Sequence, residues 1–495
     1  MTDSKLASSE TRSHEEVRLE KIHALKEKNI SPYAQNFNKK DAINDIVNKY
    51  KTLTPEDTCQ DTVQTAGRLL AKRGHGKACF ANISDEKGSI QLYANVSVLG
   101  KGLFEQLVSY DIGDIIGIIG TPFITKRGEL SIKLSSVKLL TKSLLPLPEK
   151  YHGLQDKELR YRKRYLDLIA NPDIKKVFQM RSETISYIRN FLTSQSFIEV
   201  ETPVLHNIYG GAAAKPFETH HNVLDQRLYL RIALELHLKR LIVGGFERIF
   251  EIGRVFRNEG VSYKHNPEYT LLELYQAYAD YKDVMALTEA LLSSLVHSKN
   301  QSYDLPYQGK IINFAPPFQV LSLEEAIKKY ADVDINNLDA LRQKAKENGL
   351  ELGHNASKGE LINTIYDKYV ESHLIQPTFI IDYPWETSPL AKRKANNPDF
   401  VERFELIING MEIANAFSEL NDPIDQKLRF EEQLKAKEAG YEEAHEMDDD
   451  FIESLKYGMP PTGGLGIGID RVVMLLTDSH SIRDVLFFPH MKTLS

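Results

Sequence analysis

The sequence predicts an α+β protein of two unlike parts, a small β-barrel followed by a larger region in which strands and helices intermix. Three patterns carry this expectation. Five short apolar strands fall within about 85 residues after Thr62, a helix-period apolar stripe runs over residues 174–194, and irregularly ordered strands and helices fill the rest. A length of 495 residues suits two or three domains.

In order along the chain, residues 14–29 read as a charged helix with Val17, Leu19, Ile22 and Leu25 as its apolar side. Its charges balance, so it is expected to pack on a neighbour. After Thr54-Pro55 come strands at Val63–Leu70, Ala78–Ile83, Ile90–Ala94, Ile115–Thr121 and Leu130–Leu140, with Gly88 and Gly128 at turns. A five-stranded oligonucleotide-binding (OB) barrel is the commonest fold of this pattern, and a β-sandwich fragment is the alternative. Leu144–Glu149 is a proline-punctuated linker. Ile174, Val177, Phe178, Ile185, Ile188 and Leu192 then mark a long amphipathic helix that leads into F-I-E-V-E and stops at Thr202-Pro203. Residues 320–375 read as a helical, polar insertion. The expected partition is an N-terminal helical segment over 1–60, a barrel over 61–147, a linker over 148–172 and a catalytic domain over 173–495.

Composition narrows the function. Apolar content of 42 % and charged content of 26 % are those of a globular protein. Two cysteines, Cys59 and Cys79, cannot build a disulfide framework and suggest a reducing compartment. There is no C-x-x-C or H-E-x-x-H for zinc. The start lacks an apolar core, and the most apolar stretch, near Ile115–Ile124, is about half a membrane span. A cytoplasmic protein with no membrane association is expected. The net charge of −7 argues against global nucleic-acid binding, yet residues 62–150 hold 12 Lys/Arg against 7 Asp/Glu. That local positive field suits phosphate contacts.

Two distant runs suggest an ATP site. F-R-N-E-G-V-S-Y-K-H-N-P-E-Y-T-L-L-E, Phe256 to Glu273, reads as two strands around a polar loop. Alternation puts Tyr269, Leu271, Glu273 and Tyr275 on one face, and Glu251, Gly253, Val255, Arg257 and Glu259 on one face of the preceding strand. Arg257 could neutralise an α-phosphate and His265 could reach a terminal one. Taken alone, such a hairpin is more often a solvated ribbon. G-L-G-I-G-I-D-R, Gly464 to Arg471, clears one strand face of side chains and ends in an arginine able to stack on a base. Its spacing is neither G-x-G-x-x-G nor a Walker lysine motif. Between them lies R-F-E-L-I-I-N-G-M-E-I-A-N-A-F-S-E-L, where Asn409-Gly410 predicts a type I′ hairpin. Glu405 is then expected opposite Ala414, making Glu405 and Glu412 diagonal neighbours that a Mg²⁺ ion could bridge. Bringing Asn415, Phe417 and Glu419 onto the same face requires a β-bulge near Ala414.

These motifs resemble class II aminoacyl-tRNA synthetases, most closely the lysyl-tRNA synthetases of bacterial type. Helix 174–194 with Phe197–Pro203 is similar to motif 1, Arg257–Glu273 to motif 2 and Gly464–Arg471 to motif 3. G-L-Q-D-K-E-L-R-Y-R-K-R-Y-L-D-L (153–168), Y-G-G-A-A-A-K-P-F (209–217) and H-L-I-Q-P-T-F-I (373–380) are similar to lysyl-enzyme signatures. The resemblance implies an antiparallel catalytic sheet flanked by helices, a homodimer built around motif 1, and the substrates ATP, L-lysine and tRNA(Lys). By matching position, Arg257 would bind the α-phosphate and lysine carboxylate. Glu259 and His265 would contact ATP, Tyr269 and Arg471 would sandwich adenine, and Glu405 and Glu412 would hold Mg²⁺. Gly211 and Glu235 would receive the α-amino group. Glu273, Tyr275 and Glu419 would hold the ε-ammonium beside Asn415 and Phe417, and Arg68, Phe80, Gln91 and Glu129 would read the anticodon.

The acidic positions favour a cationic amino acid over aspartate or asparagine. A lysine ligase acting on protein is disfavoured by the barrel, and a catalytically dead paralogue by the intact motif arginines. Lys215, Leu234 and His237 depart from the usual arginine, proline and tyrosine, and Tyr269 from the commoner phenylalanine. Of these, Leu234 and His237 border the amino-acid site.

Overall fold

The computed structural model describes residues 13–148, 154–347, 356–438 and 446–493. The charged start, Glu149 of the linker, Gly153 and positions 348–355 of the expected insertion lie outside the described residues. The chain divides into two compact units, Met1–Gln155 and Asp156–Ser495. Among the described residues no helix is long and apolar enough to cross a membrane.

The first unit is a closed barrel of β1 (Val63–His75), β2 (Ala78–Ser84), β3 (Ser89–Asn95), β4 (Ile115–Ile124) and β5 (Leu130–Thr141), joined in the order β1-β2-β3-β5-β4. Alternation fills it with Leu69, Ile83, Leu92, Ile116, Ile118, Ile132 and Leu134, each at most 1 % exposed. Burying each such side chain is worth about 1.5–3 kcal/mol. β1 runs longer than the expected Val63–Leu70, because Ala71–His75 pair with Ala78–Asn82 across a turn in which Gly76 takes φ +57°. Two short helices, Val96–Leu99 and Lys101–Ser109, were not expected; Leu99, Phe104 and Leu107 turn their side chains into the barrel core.

Helix α1 (His14–Glu27) opens with a Ser13/Glu16 capping box. Its buried side differs from the expected one. Val17 and Leu19 are exposed, whereas Arg18 and Ile22 are buried. The Arg18 guanidinium donates to the carbonyls of Ser143, Leu145 and Ile112, so the helix docks by an arginine together with the Ile22 and Leu25 half of the expected apolar side.

The second unit is built on an eight-stranded sheet. In chain order its strands are β6 (Ile198–Glu199), β7 (Arg248–Phe256), β8 (Glu268–Ala277), β9 (Gln319–Ser322), β10 (Thr378–Ile381), β11 (Arg403–Ile408), β12 (Met411–Ser418) and β13 (Thr462–Gly468). The spatial order is β9-β10-β11-β12-β13-β8-β7-β6. Pairing is antiparallel throughout the middle and parallel only at the outer pairs β9–β10 and β7–β6. The expected long helix forms as α2 (Ile174–Ser194), which sets Phe178, Ile188 and Leu192 inward. Residues 157–170, expected as linker, form two short helices, with Arg164 buried against Asp167 and donating to the carbonyls of Arg483, Leu486 and Phe487. The helices inside 320–375 join the neighbouring strands β9 and β10. They carry a core of their own, with Ile327, Leu341 and Ile365 fully buried.

Candidate active site

One face of β8, β11, β12 and β13 floors a cavity of about 410 Å³, walled by the Gly211 turn, the start of α3 (Glu235–Val243), the loop 257–266 and the start of α4 (Ile469–Leu476). Its size is that of a small-molecule site. Every catalytic-domain residue expected to contact ATP, lysine or Mg²⁺ lines it: Gly211, Glu235, Arg257, Glu259, His265, Tyr269, Glu273, Tyr275, Glu405, Glu412, Asn415, Phe417, Glu419 and Arg471. Glu251 and Val255 do not. Arg231 lies over that end of β7 and pairs with Glu251, while Val255 is core.

One end of the cavity is acidic. Glu273 accepts from the Leu234 backbone N–H (2.9 Å) and from the Tyr275 hydroxyl (3.0 Å). Burial, followed by the neighbouring Glu235 carboxylate, pushes Glu273 up to about 8. Burial and the same carboxylates push the Tyr275 phenol far upward, so it remains a donor. Glu419 is 1 % exposed and neither oxygen receives a well-directed hydrogen bond from the described residues. Among the described residues only the Lys239 ammonium reaches it as an ion pair. Two glycines make room here. A Cβ on Gly211, at φ +87°, would crowd the Cβ atoms of Ala233 and Glu235 at 3.0 and 3.1 Å, and one on Gly464 would overlap Glu419 Oε1. Gly464 therefore houses a protein carboxylate, while Gly466 and Gly468 leave strand backbone open to the cavity.

The other end is cationic and more open. Arg257 stands with its guanidinium 5.4 Å from the Tyr269 ring centroid, its Nε donating to the Ile232 carbonyl. Arg471 projects from α4 and donates to the Glu412 carbonyl. His265 bonds Ser262 Oγ through Nδ1 at 2.9 Å; partial burial, then Arg471 and Lys264, hold its imidazole below the ordinary value. Lys264 ties the loop down, donating to Glu371 and to the Gly410 carbonyl.

The acidic hairpin has the expected turn, with Asn409 and Gly410 at φ +49° and +65°. Its register departs from the expected pairing: Ile407 faces Glu412, but Leu406 faces Ala414 and Glu405 faces Asn415. Ile413 is the extra residue of a bulge, which brings Glu412 into phase with Asn415 and Phe417 on the cavity face. Glu405 accepts from Tyr383 (2.9 Å) and Arg403 (2.5 Å). Burial pushes it to about 7, opposed by Arg403 and reinforced by Glu412.

The barrel carries the second candidate surface. Phe80 is exposed and packs on Tyr93 with ring centroids at 5.0 Å; Tyr93 in turn meets Phe123 at 5.8 Å. Gln91 donates to Glu129 at 2.8 Å beside this strip. Arg68 is not part of it. It faces Ser84, four residues along β2 from Phe80, and donates to the Gly113 carbonyl. The exposed arginine directly across from Phe80 is Arg73.

Residues 156–492 match the family described as "tRNA synthetases class II (D, K and N)", and residues 63–140 match an OB-fold nucleic acid binding domain. The chain belongs to the class II tRNA synthetases of this D, K and N group. Similar curated proteins are named "Lysine--tRNA ligase". That of Thermoanaerobacter sp. (strain X514) is 54% identical over 96% of this chain and 95% of its own length. That of Bacillus subtilis (strain 168) is 50% identical over 98% and 99%. That of Oceanobacillus iheyensis is 52% identical over 98% and 100%.

In this class II synthetase several groups at the site escaped sequence reading. Asp470, inside G-I-D-R, bonds Arg181 of α2 through one oxygen and the Thr270 N–H of β8 through the other, tying the three motif regions together. Arg403 bridges Glu405 and Asn415. Lys239 is fully buried between Glu235 and Glu419. Arg73 was available from the Gly74–Lys77 hairpin, whose turn sets it opposite Phe80.

Proposed function

We propose that this chain is a lysine–tRNA ligase, activating L-lysine with ATP and transferring it to the 3′ end of tRNA(Lys). The convergence of Glu235, Glu273 and Glu419, with the Tyr275 hydroxyl, at one end of the cavity carries the choice of amino acid. An aspartate side chain would be repelled there, and asparagine would leave buried carboxylates without a counter-charge.

Chemistry follows from position and charge. The lysine carboxylate attacks the α-phosphorus, the bond to the β-phosphate oxygen breaks, and diphosphate leaves with its electron pair. Arg257 sits where it can meet both the lysine carboxylate and the α-phosphate, and Arg471 with Tyr269 can enclose adenine. A ribose hydroxyl of the tRNA terminus then attacks the carbonyl carbon and AMP departs. No protein nucleophile is needed.

Glu405 and Glu412 fit a Mg²⁺ ion. They line the cavity from adjacent strands, and Glu412 raises the cost of the Glu405 charge, which a dication relieves. Among the described residues no group of three or more His, Cys, Asp or Glu side chains that could hold a metal ion occurs, so the fit rests on this carboxylate pair alone. When bound, Mg²⁺ supplies neutralisation of phosphate charge.

The Phe80–Tyr93–Phe123 strip with Gln91, Glu129 and Arg73 is the proposed anticodon surface, with Arg68 peripheral to it. A homodimer accords with exposed Ile198, Val204 and Leu205 around Pro203. The free cysteines Cys59 and Cys79 suit a cytoplasmic setting.

Amino-acid-dependent diphosphate exchange tests the reading. Lysine should drive exchange; exchange driven by aspartate or asparagine instead would overturn it. Phe80→Ala should cost about 1–3 kcal/mol in tRNA(Lys) binding at fixed salt while leaving lysine-dependent exchange unchanged; unaltered tRNA affinity would refute the anticodon surface.

A further inference from the structure

Lys239 lies one turn along α3 from Glu235, 0 % exposed, and outside the cavity lining. Its ammonium touches Oε1 of Glu235 and Oε2 of Glu419. It also stands 5.4 Å from the Phe417 ring centroid and 5.9 Å from that of Phe451. A fully buried lysine is costly unless paired, and this one is paired twice. Both partners are groups that the proposed function assigns to substrate, Glu235 to the α-ammonium and Glu419 to the ε-ammonium.

The charges add up in a revealing way. Glu235, Glu273 and Glu419 bring three negative charges to the pocket. A lysine whose carboxylate is held by Arg257 presents two ammonium groups. Two cations leave one buried carboxylate without a counter-charge, and Lys239 is the third. We infer that Lys239 is a positioning residue for amino-acid selection: it is a built-in third cation that pins Glu235 and Glu419 at a fixed separation and matches the pocket to a doubly positive substrate. The inference rests on the lysine-ligase reading.

The other charged or titratable groups facing this cluster are Glu273 and Tyr275 from β8 and Arg403 from β11. None can replace Lys239. Arg403 is committed to Glu405 and Asn415. Tyr275 is neutral and donates to Glu273. Without Lys239, adjacent buried carboxylates must share a proton, which an incoming ammonium must displace.

The test uses the full-length protein with Lys239→Met and Lys239→Arg. Lys239→Met should raise the lysine KM about 10–100-fold while the ATP KM stays within about twofold. It should also release more protons per lysine bound than the unaltered protein does, read as binding heat in buffers of different ionisation heat. Lys239→Arg, which keeps the charge, should restore much of the lysine affinity and the original proton count. If Lys239→Met does not fold, Lys239→Gln is read the same way, since it keeps hydrogen bonding without charge. A folded Met or Gln variant with unchanged lysine KM and proton release overturns the inference. So does an equal loss of lysine and ATP binding that Arg does not rescue. Failure of the unaltered protein to activate lysine would instead overturn the proposed function, so the two failures are distinct.

Discussion

The acidic and cationic ends of the cavity solve the same problem, holding charge near a ligand, by different means. Glu235, Glu273 and Glu419 are 6 %, 5 % and 1 % exposed, and their counter-charges and donors come from the protein itself: Lys239, the Leu234 N–H and the Tyr275 hydroxyl. At the other end Glu259 and His265 are exposed and the Glu412 side chain retains 44 % of its exposure. Buried carboxylates must be compensated by Lys239, by fixed donors or by a proton until the ligand's ammonium groups arrive, because water cannot do it. Exposed ones can wait for phosphates and a metal. The acidic end is therefore preorganised for selectivity, and the open end is completed by the nucleotide.

The largest effect should come from the group that serves both ends. Arg257→Ala should cut lysine-dependent diphosphate exchange by about 10³-fold or more, since it removes charge neutralisation where it develops. Exchange retained within about tenfold would place the α-phosphate contact elsewhere. Next, Glu419→Gln should raise the lysine KM by about 100-fold, because it removes one buried counter-charge and strands part of Lys239's pairing. The ATP KM should hardly move. Parallel loss of both affinities would mean that the two ends are not separable.

A smaller effect is set by protons. Glu273 titrates near 8 in the free protein, so below that pH it carries a proton that a bound ammonium must expel. A bound cation lowers this carboxyl's pKa, so affinity must rise with pH. The lysine KM should increase as pH falls below about 8, by up to about tenfold per unit, while the ATP KM lacks that trend. A flat lysine profile from pH 6.5 to 8.5 would show that Glu273 stays ionised throughout.

The open end was largely legible in the sequence and the supports of the acidic end were not, for physical reasons. Arg257, His265, Arg471 and the Asn409-Gly410 turn sit in local patterns whose geometry follows from strand alternation and turn chemistry. The bulge expected near Ala414 falls at Ile413, and its consequence, the pairing of Glu405 with Asn415 rather than Ala414, is the part that plain hairpin counting missed. Lys239 reads as an ordinary helix-surface charge beside Arg240; only tertiary structure turns it inward. Arg18 deceives in the same way, since its buried guanidinium joins Ile22 and Leu25 on the docking side while Val17 and Leu19 stay exposed. Barrel strands, set by alternation and glycine turns, were legible, whereas Lys101–Ser109 is too short to announce itself as a helix.

The finest test concerns Leu234, whose backbone N–H meets Glu273. A proline has no N–H, so it would remove the 2.9 Å bond to Glu273. Leu234 precedes α3 with φ −100°, so proline fits after a modest backbone shift. That N–H stabilises the ionised form of Glu273 and opposes the upward push of burial. Leu234→Pro should therefore move the midpoint of the lysine-KM pH profile upward by about one unit, in keeping with a hydrogen bond to a charged group. At neutral pH the lysine KM should rise about tenfold or less, with exchange rates at saturating lysine little changed. Leu234→Ala, which retains the N–H, should leave the midpoint in place. If both variants move it equally, the leucine side chain rather than the backbone donor tunes Glu273, and the acidic end owes less of its preorganisation to fixed hydrogen bonds than to packing.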